Sequence, residues 1–309
     1  MTILEEENKG HLEMRRLTER TYFIDMYGLG VAAYNTSGRN FVLLDCGIGL
    51  YDFDALCALA EREGMNIIAA IATHCHVDHV GCGKKLRERY GTKIYVPYAE
   101  AAICDTQYAL QAALPYMNFE DAEKYFGNAH TPVDGFFRPE EQSITVDGAQ
   151  FGLLATPGHS AGHTCIITPD GVMQMGDAVL GYEGLKNGKL PYSMNIKADI
   201  TSKCLIRDTG CAFYIAAHRS EVFTDIGDLV EKNIEKLERV TDDVTALADA
   251  PMDLCRMIEA LMDKYSMRGG DPIACCLIER NMRTFLDYAV ETGRLRHVTE
   301  KGVVKYVRP

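Results

Sequence analysis

Ten residues, Thr73 to Cys82, constrain the fold more than any other part of this chain. Their sequence, "THCHVDHVGC", holds four potential metal ligands in the pattern His-x-His-x-Asp-His. The apolar run "IIAAIAT" before them predicts a β-strand, and a helical pattern follows. Imidazole nitrogens and carboxylates are ligands that zinc, iron and manganese accept. A single loop histidine is most often solvated, but four such groups at this spacing indicate a metal site.

Three further potential ligands stand directly after apolar runs. His159 follows "FGLLATPG", Asp177 follows "VMQMG" and His218 follows "FYIAA". Functional groups of α/β proteins gather where strands end, so we expect these side chains to join the first cluster.

The order of the elements indicates an α/β layered architecture. Short β-rich runs and helical patterns fill the chain up to about residue 222, interrupted by a helical insertion at about 98–130. Helical patterns dominate afterwards, and the chain closes on two short strands around Glu300-Lys301-Gly302. A helix followed by a small hairpin is typical of a winged-helix module. The sequence therefore predicts a catalytic domain over 1–222 and a helical, winged-helix-like accessory domain over 223–309.

The succession His-x-His-x-Asp-His, Gly-His, Gly-Asp and a later lone His resembles the metallo-β-lactamase-fold hydrolases, in particular the glyoxalase II and lactonase branch. The resemblance covers residues 12–222. It implies an αββα sandwich with a dinuclear metal site at one edge, in which three residues hold each metal and one bridges them. The resemblance implies that His74, His76 and His159 hold the first metal. It implies that Asp78, His79 and His218 hold the second metal, and that Asp177 bridges the two.

Four other residues near these motifs have predicted roles. Asp45 lies in "LLDCG", which resembles the family's early Asp-x-Gly turn and implies structural support for the site. His163 is expected to orient a ligand through a hydrogen bond, although a buried histidine satisfied by backbone groups is an equal alternative. Cys75 alternates with two ligands and Cys82 falls on the following helix, so both are expected to be packing residues.

The similarity of "TPGHSAGHT" to the glyoxalase II and lactonase branch implies hydrolysis of an ester-type bond, in a thioester, lactone or ester. Two divalent ions, zinc or alternatively iron or manganese, lower the pKa of a bridging water so that hydroxide is available at neutral pH. No serine or cysteine nucleophile is then required. Asp78, besides being a ligand, is predicted to act in catalysis by orienting the nucleophile or accepting its proton.

The insertion at 98–130 suggests a substrate class. It lies between two ligand-bearing segments, is rich in Tyr, Phe, Leu and Met, and is poor in Lys and Arg. We expect it to form an apolar lid, with Tyr116, Met117 and Phe119 contacting a small apolar substrate. The alternative is that these aromatic residues only pack the insertion onto the sandwich.

Charge and composition weigh against other partners. The net charge of −12 disfavours binding to nucleic acid or anionic membranes. The N-terminal residues contain no apolar signal region, and the eleven cysteines are an odd number, so a cytoplasmic protein is expected. Homodimer formation is left open.

Two alternative functions remain. One is a ribonuclease that uses the C-terminal module, where residues 278–309 hold seven Lys/Arg and four Asp/Glu. The other is a mononuclear iron persulfide dioxygenase.

Overall fold

Two β-sheets form the centre of the molecule, which a computed structural model describes for residues 11–309. The N-terminal residues used in the signal-region argument lie outside this range. Within it, the first sheet has seven strands in chain order. They are β1 (Met14–Arg16), β2 (Thr21–Asp25), β3 (Gly30–Ser37), β4 (Asn40–Leu44), β5 (Asn66–Ile71), β6 (Lys93–Pro97) and β7 (Gly135–Phe137).

The second sheet of the described chain has six strands, ordered β13-β12-β11-β10-β9-β8. The strands are β8 (Ser143–Val146), β9 (Ala149–Ala155), β10 (Thr164–Ile167), β11 (Val172–Gln174), β12 (Phe213–Ala216) and β13 (Glu221–Phe223). Strands β4 to β7 pair in parallel, as do β11 and β12, whereas the remaining pairs in both sheets are antiparallel.

Helices cover the outer faces of both sheets and form the C-terminal region. In chain order they are α1 (Tyr51–Glu63), α2 (Val77–Val80), α3 (Gly83–Tyr90), α4 (Ala101–Asp105), α5 (Gln107–Ala113), α6 (Phe119–Phe126), α7 (Tyr182–Asn187), α8 (Ile196–Arg207), α9 (Gly227–Leu247), α10 (Leu254–Lys264) and α11 (Pro272–Glu291). Helices α4 to α6 confirm the helical character of the predicted insertion.

The strand sequences explain the layering, because alternate side chains of a strand point to opposite faces. In β4, Phe41 and Leu43 pack beneath α1 and α3, whereas Val42 and Leu44 enter the core between the sheets. Phe151 and Ile166 of the second sheet meet them there. With a further apolar cluster between the second sheet and α8 and α9, this is the αββα sandwich that the sequence predicted.

The C-terminal region has winged-helix connectivity. Helix α9 is followed by Met252, which bridges to Tyr306, and then by α10, α11 and the hairpin of β14 (Arg296–Glu300) and β15 (Val303–Val307). Positive φ angles at Lys301 and Gly302 fit the tight turn between these strands. The predicted boundary at residue 222 falls inside β13, and the start of α9 packs against the second sheet.

Among the described residues, 11–309, no helix combines the length and the apolarity needed to cross a membrane.

Candidate metal centre

The seven predicted ligands converge at one edge of the sandwich, where loops leave both sheets. Their potential ligand atoms form two groups, each spanning no more than 4.8 Å. One group contains His74, His76, His159 and Asp177, and the other contains Asp78, His79 and His218. The structure thus brings together residues from the ends of β5, β9, β11 and β12, as the strand-end argument predicted.

Three imidazole nitrogens face one another in the first group. His76 Nδ1 lies 2.9 Å from His74 Nε2 and 3.1 Å from His159 Nε2. Burial lowers the pKa of all three imidazoles, and that of His74 and His159 falls well below its ordinary value. Neutral rings aimed at one point present lone pairs, which is the arrangement that a transition-metal ion accepts.

A fixed tautomer prepares His74 for this role. Its Nδ1 lies 3.0 Å from Thr73 Oγ1, and that hydroxyl donates to Asp45 Oδ1 at 3.0 Å. Thr73 Oγ1 must therefore accept from His74 Nδ1–H, which leaves the lone pair of Nε2 facing the centre.

Two carboxylates, Asp78 of the second group and Asp177 of the first, face the imidazoles of the second group. His218 Nε2 lies 3.0 Å from Asp177 Oδ2 and 3.4 Å from Asp78 Oδ2, and His79 Nε2 lies 3.3 Å from Asp177 Oδ1. Asp177 Oδ2 also lies 3.4 Å from His159 Nε2. Asp177 therefore contacts ligands of both groups, which is the position that a bridging carboxylate requires.

The pKa values in the second group reflect this negative charge. Burial would lower the pKa of His79, but the Asp45 and Asp177 carboxylates raise it well above its ordinary value. Asp177 also raises the pKa of His218 to about 9. The carboxylates therefore favour the protonated form of both imidazoles in the metal-free protein, and a bound cation would replace these protons.

The donor set fits a pair of divalent ions. His79 Nε2 and Asp177 Oδ1 are buried and lie 3.3 Å apart, but they do not meet hydrogen-bond geometry, and neither atom has a hydrogen bond to another group in the described part of the chain. A buried polar atom without a partner is costly, and a cation between these two would satisfy both. Imidazole and carboxylate ligands together suit zinc, iron and manganese.

Asp45 lies beside the metal centre and contacts the residues that hold it. Its backbone has a φ of 66°, and its fully buried carboxylate accepts hydrogen bonds from Thr73 N at 2.8 Å and Gln174 Nε2 at 3.1 Å. Its Oδ2 lies 3.0 Å from His79 Nδ1. Asp45 thus anchors the ligand loop and faces the distal nitrogen of one ligand.

His163 makes the predicted orienting contact through the backbone of a ligand. Burial lowers its pKa to about 3, so the ring is neutral. Its Nε2 accepts from Asp177 N at 3.2 Å, and its Nδ1 lies 2.9 Å from Thr156 Oγ1. His163 therefore contacts the backbone of Asp177, and this backbone partner also matches the alternative that the sequence left open.

A sequence model of one protein superfamily matches this chain. The model of the metallo-β-lactamase superfamily matches residues 33–240, a segment that contains all seven predicted ligands. The chain belongs to this superfamily.

Named relatives of this metallo-β-lactamase superfamily member are hydrolases. An atrochrysone carboxyl ACP thioesterase of Aspergillus chevalieri is 27% identical over 69% of this chain. The match spans 59% of that thioesterase's length. The hydroxyacylglutathione hydrolase GloC of Haemophilus influenzae is 27% identical over 63% of this chain and 86% of its own. Both of these relatives are hydrolases by name.

Solved structures reproduce the architecture over nearly the whole chain. A metallo-β-lactamase family protein of Thermus thermophilus has a TM-score of 0.69 at 18% identity and covers 97% of this chain and 98% of its own. A β-lactamase domain protein of Burkholderia ambifaria has a TM-score of 0.71 at 15% identity, with coverages of 96% and 94%. These likenesses extend the shared fold through the C-terminal region.

Glu100 is a residue of the site that sequence reasoning missed. Its buried carboxylate accepts from Cys75 N at 2.7 Å, from Gly162 N at 2.6 Å and from Ser160 Oγ at 2.5 Å. Cys75 lies between two predicted ligands and Ser160 follows a third, so one carboxylate ties both ligand loops together. No motif marks Glu100, because its donors come from distant segments.

A cavity of 980 Å³ opens directly onto the centre. His76, Asp78, His159, Asp177 and His218 lie in its wall, and the remaining lining is largely apolar. The insertion and helix α11 of the C-terminal region supply opposite walls. Cavities of this size accommodate small-molecule ligands.

Helix α11 and the loop before α8 add two further residues that the sequence did not reveal. The Tyr192 ring lies 5.7 Å from the ring centroid of His76 and 5.0 Å from that of His159. The Arg280 guanidinium carbon lies 3.4 Å from the Tyr192 centroid. The only sequence signal for Arg280 is the excess of basic residues at 278–309, on which the ribonuclease alternative rests.

The three predicted lid residues occupy different positions. Tyr116 lines the cavity. Met117 is buried in a cluster with Leu110 and Leu114 inside the insertion, and Phe119 is 39% exposed and packs against Tyr108, with 5.7 Å between ring centroids. Met117 and Phe119 thus match the alternative that these side chains pack the insertion.

Cys75 and Cys82 are both buried in the apolar cluster beneath the first sheet, and neither belongs to the two ligand groups. Burial raises the pKa of each thiol well above its ordinary value. Their positions agree with packing roles.

Proposed function

We propose that the protein is a dinuclear metal-dependent hydrolase that cleaves an ester-type bond, with thioesters as the preferred substrates. The observation that carries the proposal is the convergence of all seven predicted ligand residues in two adjacent groups, five members of which line a largely apolar cavity. Two divalent ions, with zinc as our first choice, would supply Lewis acidity and an activated water at neutral pH. The thioesterase and the hydroxyacylglutathione hydrolase among the relatives support thioesters over other bonds.

The chain's own residues favour attack by water over attack by a side chain. The Ser160 hydroxyl donates a hydrogen bond to the Glu100 carboxylate, and the Cys75 thiol stays protonated because burial raises its pKa. Neither is a ready nucleophile. Asp78 is 30% exposed, faces the cavity and lies 3.4 Å from His218, so it is placed to orient a water and hold its proton.

A substrate panel tests the proposal. Acyl thioesters, lactones and aryl esters are offered to protein purified without chelator, beside an RNA cleavage assay. We expect thioester hydrolysis that chelation abolishes and zinc restores. His218→Ala should lose this activity, whereas His297→Ala, in the C-terminal hairpin, should keep it. Full metal occupancy without turnover of any ester-type bond would contradict the proposal.

Two other results would redirect it. RNA cleavage that survives further purification would favour the ribonuclease alternative. Oxygen consumption with a persulfide and one iron per chain would favour the dioxygenase. Asp78→Asn tests the role of this carboxylate: we expect metal retention with strongly reduced turnover, and near-normal turnover would remove Asp78 from the proton transfer.

A further inference from the structure

We propose that Arg280 binds a carboxylate of the substrate, so that the preferred substrates are half-thioesters or half-esters of dicarboxylic acids. This inference rests on the proposed function. It concerns the acyl group, whereas the metal centre concerns the bond that is cut.

Arg280 is a cation without a protein anion. Its Nη1 donates to Tyr116 Oη at 3.0 Å and its Nε donates to Asn281 Oδ1 at 3.1 Å, and both acceptors are neutral. Within residues 11–309, no carboxylate lies within 4.0 Å of its guanidinium. Neighbouring arginines differ: Arg283 contacts Glu279 at 2.9 Å and Arg294 contacts Glu238 at 2.5 Å.

The surroundings hold the guanidinium in place. Its carbon lies 3.4 Å from the Tyr192 ring centroid and 5.5 Å from that of Tyr116. Stacking on one ring and a hydrogen bond to a second phenol reduce the freedom of this long side chain. A cation that is already ordered loses less entropy when it binds an anion.

The position of Arg280 indicates which part of the substrate it contacts. Tyr192 separates it from the predicted ligands, since the same ring packs against His76 and His159. A group bound to Arg280 therefore lies only one aromatic ring away from the reacting bond. That spacing suits a carboxylate a few bonds from the scissile carbonyl.

The rest of the cavity is suited to the other half of the molecule. Ile103, Leu110, Leu114, Phe126 and Leu277 form an apolar part of its wall, and the charged Glu279 and Arg283 of the same lining pair with each other at 2.9 Å. An apolar thiol or alcohol portion would occupy this part. Planar bidentate recognition of carboxylates is what the arginine fork does best.

An isosteric substrate pair tests this inference. The S-hexyl half-thioester of glutaric acid is compared with the corresponding primary amide, which has the same shape and no charge. We expect kcat/KM of the wild type to favour the acid by about tenfold or more, the effect of a charge-assisted hydrogen bond. Arg280→Met and Arg280→Gln should remove the preference, and Arg280→Lys should retain part of it.

The control is Arg296→Gln, an exposed change in the C-terminal hairpin, which should leave the preference intact. Metal content is measured for every variant, and the wild-type pair gives a result that does not depend on the folding of any variant. Hydrolysis of both substrates at equal rates by the wild type would overturn the inference while leaving the proposed function standing. An equal loss on both substrates in Arg280→Met would assign Arg280 to packing. Failure of the wild type on the whole ester panel would instead refute the proposed function.

Discussion

Replacing Glu100 with Gln exchanges one carboxylate oxygen for an NH₂ group in the side chain that connects the two ligand loops. The carboxylate accepts two backbone N–H groups, Cys75 N on Oε2 and Gly162 N on Oε1, and both are buried. An amide has one oxygen and one NH₂ group. Whichever way the glutamine side chain turns, its NH₂ group faces one of these N–H donors, and that donor loses its acceptor.

The expected cost follows from this mismatch. A buried donor left without a partner costs about 1–3 kcal/mol. We therefore expect the free energy of unfolding of metal-free Glu100→Gln, measured by urea denaturation, to fall by this amount. Ser160→Ala removes a single hydroxyl donor and should cost about 1 kcal/mol. Glu61→Gln, an exposed change, should stay within about 0.5 kcal/mol of the wild type.

Metal retention provides a second measurement. Because Glu100 positions the backbone beside predicted ligands, we expect zinc affinity of Glu100→Gln to fall by about 10- to 100-fold in a chelator competition. A variant that unfolds within about 0.5 kcal/mol of the wild type and holds zinc equally well would refute the argument that this carboxylate ties the loops together.

Four further predictions concern metals, pH and substrate. Elemental analysis of protein purified without chelator should approach two ions per chain, and a value near one that His218→Ala leaves unchanged would show that the second site is not real. Zinc uptake at pH 7 should release protons in a weakly buffered indicator assay, because nearby carboxylates raise the pKa of His79 and His218 in the metal-free protein. Because the pKa of His218 is raised, protonated His218 stabilises the metal-free protein, fully so below pH 6.5, and this contribution is lost as the pH rises through about 9. In His218→Gln, the free energy of unfolding should change less with pH between these values. Tyr116→Ala should raise KM for long-chain thioesters, whereas Phe119→Ala should leave it unchanged, because Tyr116 lines the cavity and Phe119 faces solvent; equal effects would show that the cavity wall does not select the chain.

The ligand positions were predictable because their pattern is local. His74 to His79 lie on one short loop and helix, and His159, Asp177 and His218 each follow a strand. Strand-end position is readable from apolar runs and turn residues without knowledge of distant contacts. The αββα layering was predicted through the family resemblance that these ligand motifs carry, whereas the continuous apolar run of β4 indicates only a strand that is buried on both faces.

The cavity wall was not predictable in the same way. Arg280 and Tyr116 are separated by 164 residues, and Glu100 bonds donors 25 and 62 residues away. Such contacts depend on how the layers pack, and no spacing rule marks them. Composition identified the insertion as apolar but did not show which side chains of α6 and its preceding loop would face inward, so Met117 and Phe119 were grouped with Tyr116.

Helix α11 carries two separate stripes of side chains, and this arrangement bears on how such an enzyme changes its specificity. Leu277, Arg280 and Thr284 face the cavity, whereas Met282, Phe285, Leu286 and Ala289 are buried in the core of the C-terminal region. Because the stripes lie on different sides of one helix, substitutions in the first can alter selectivity without opening voids in the second. All seven predicted ligands precede residue 219. New acyl preferences can therefore evolve in α11 while the chemical step and the stability of the fold remain under separate selection.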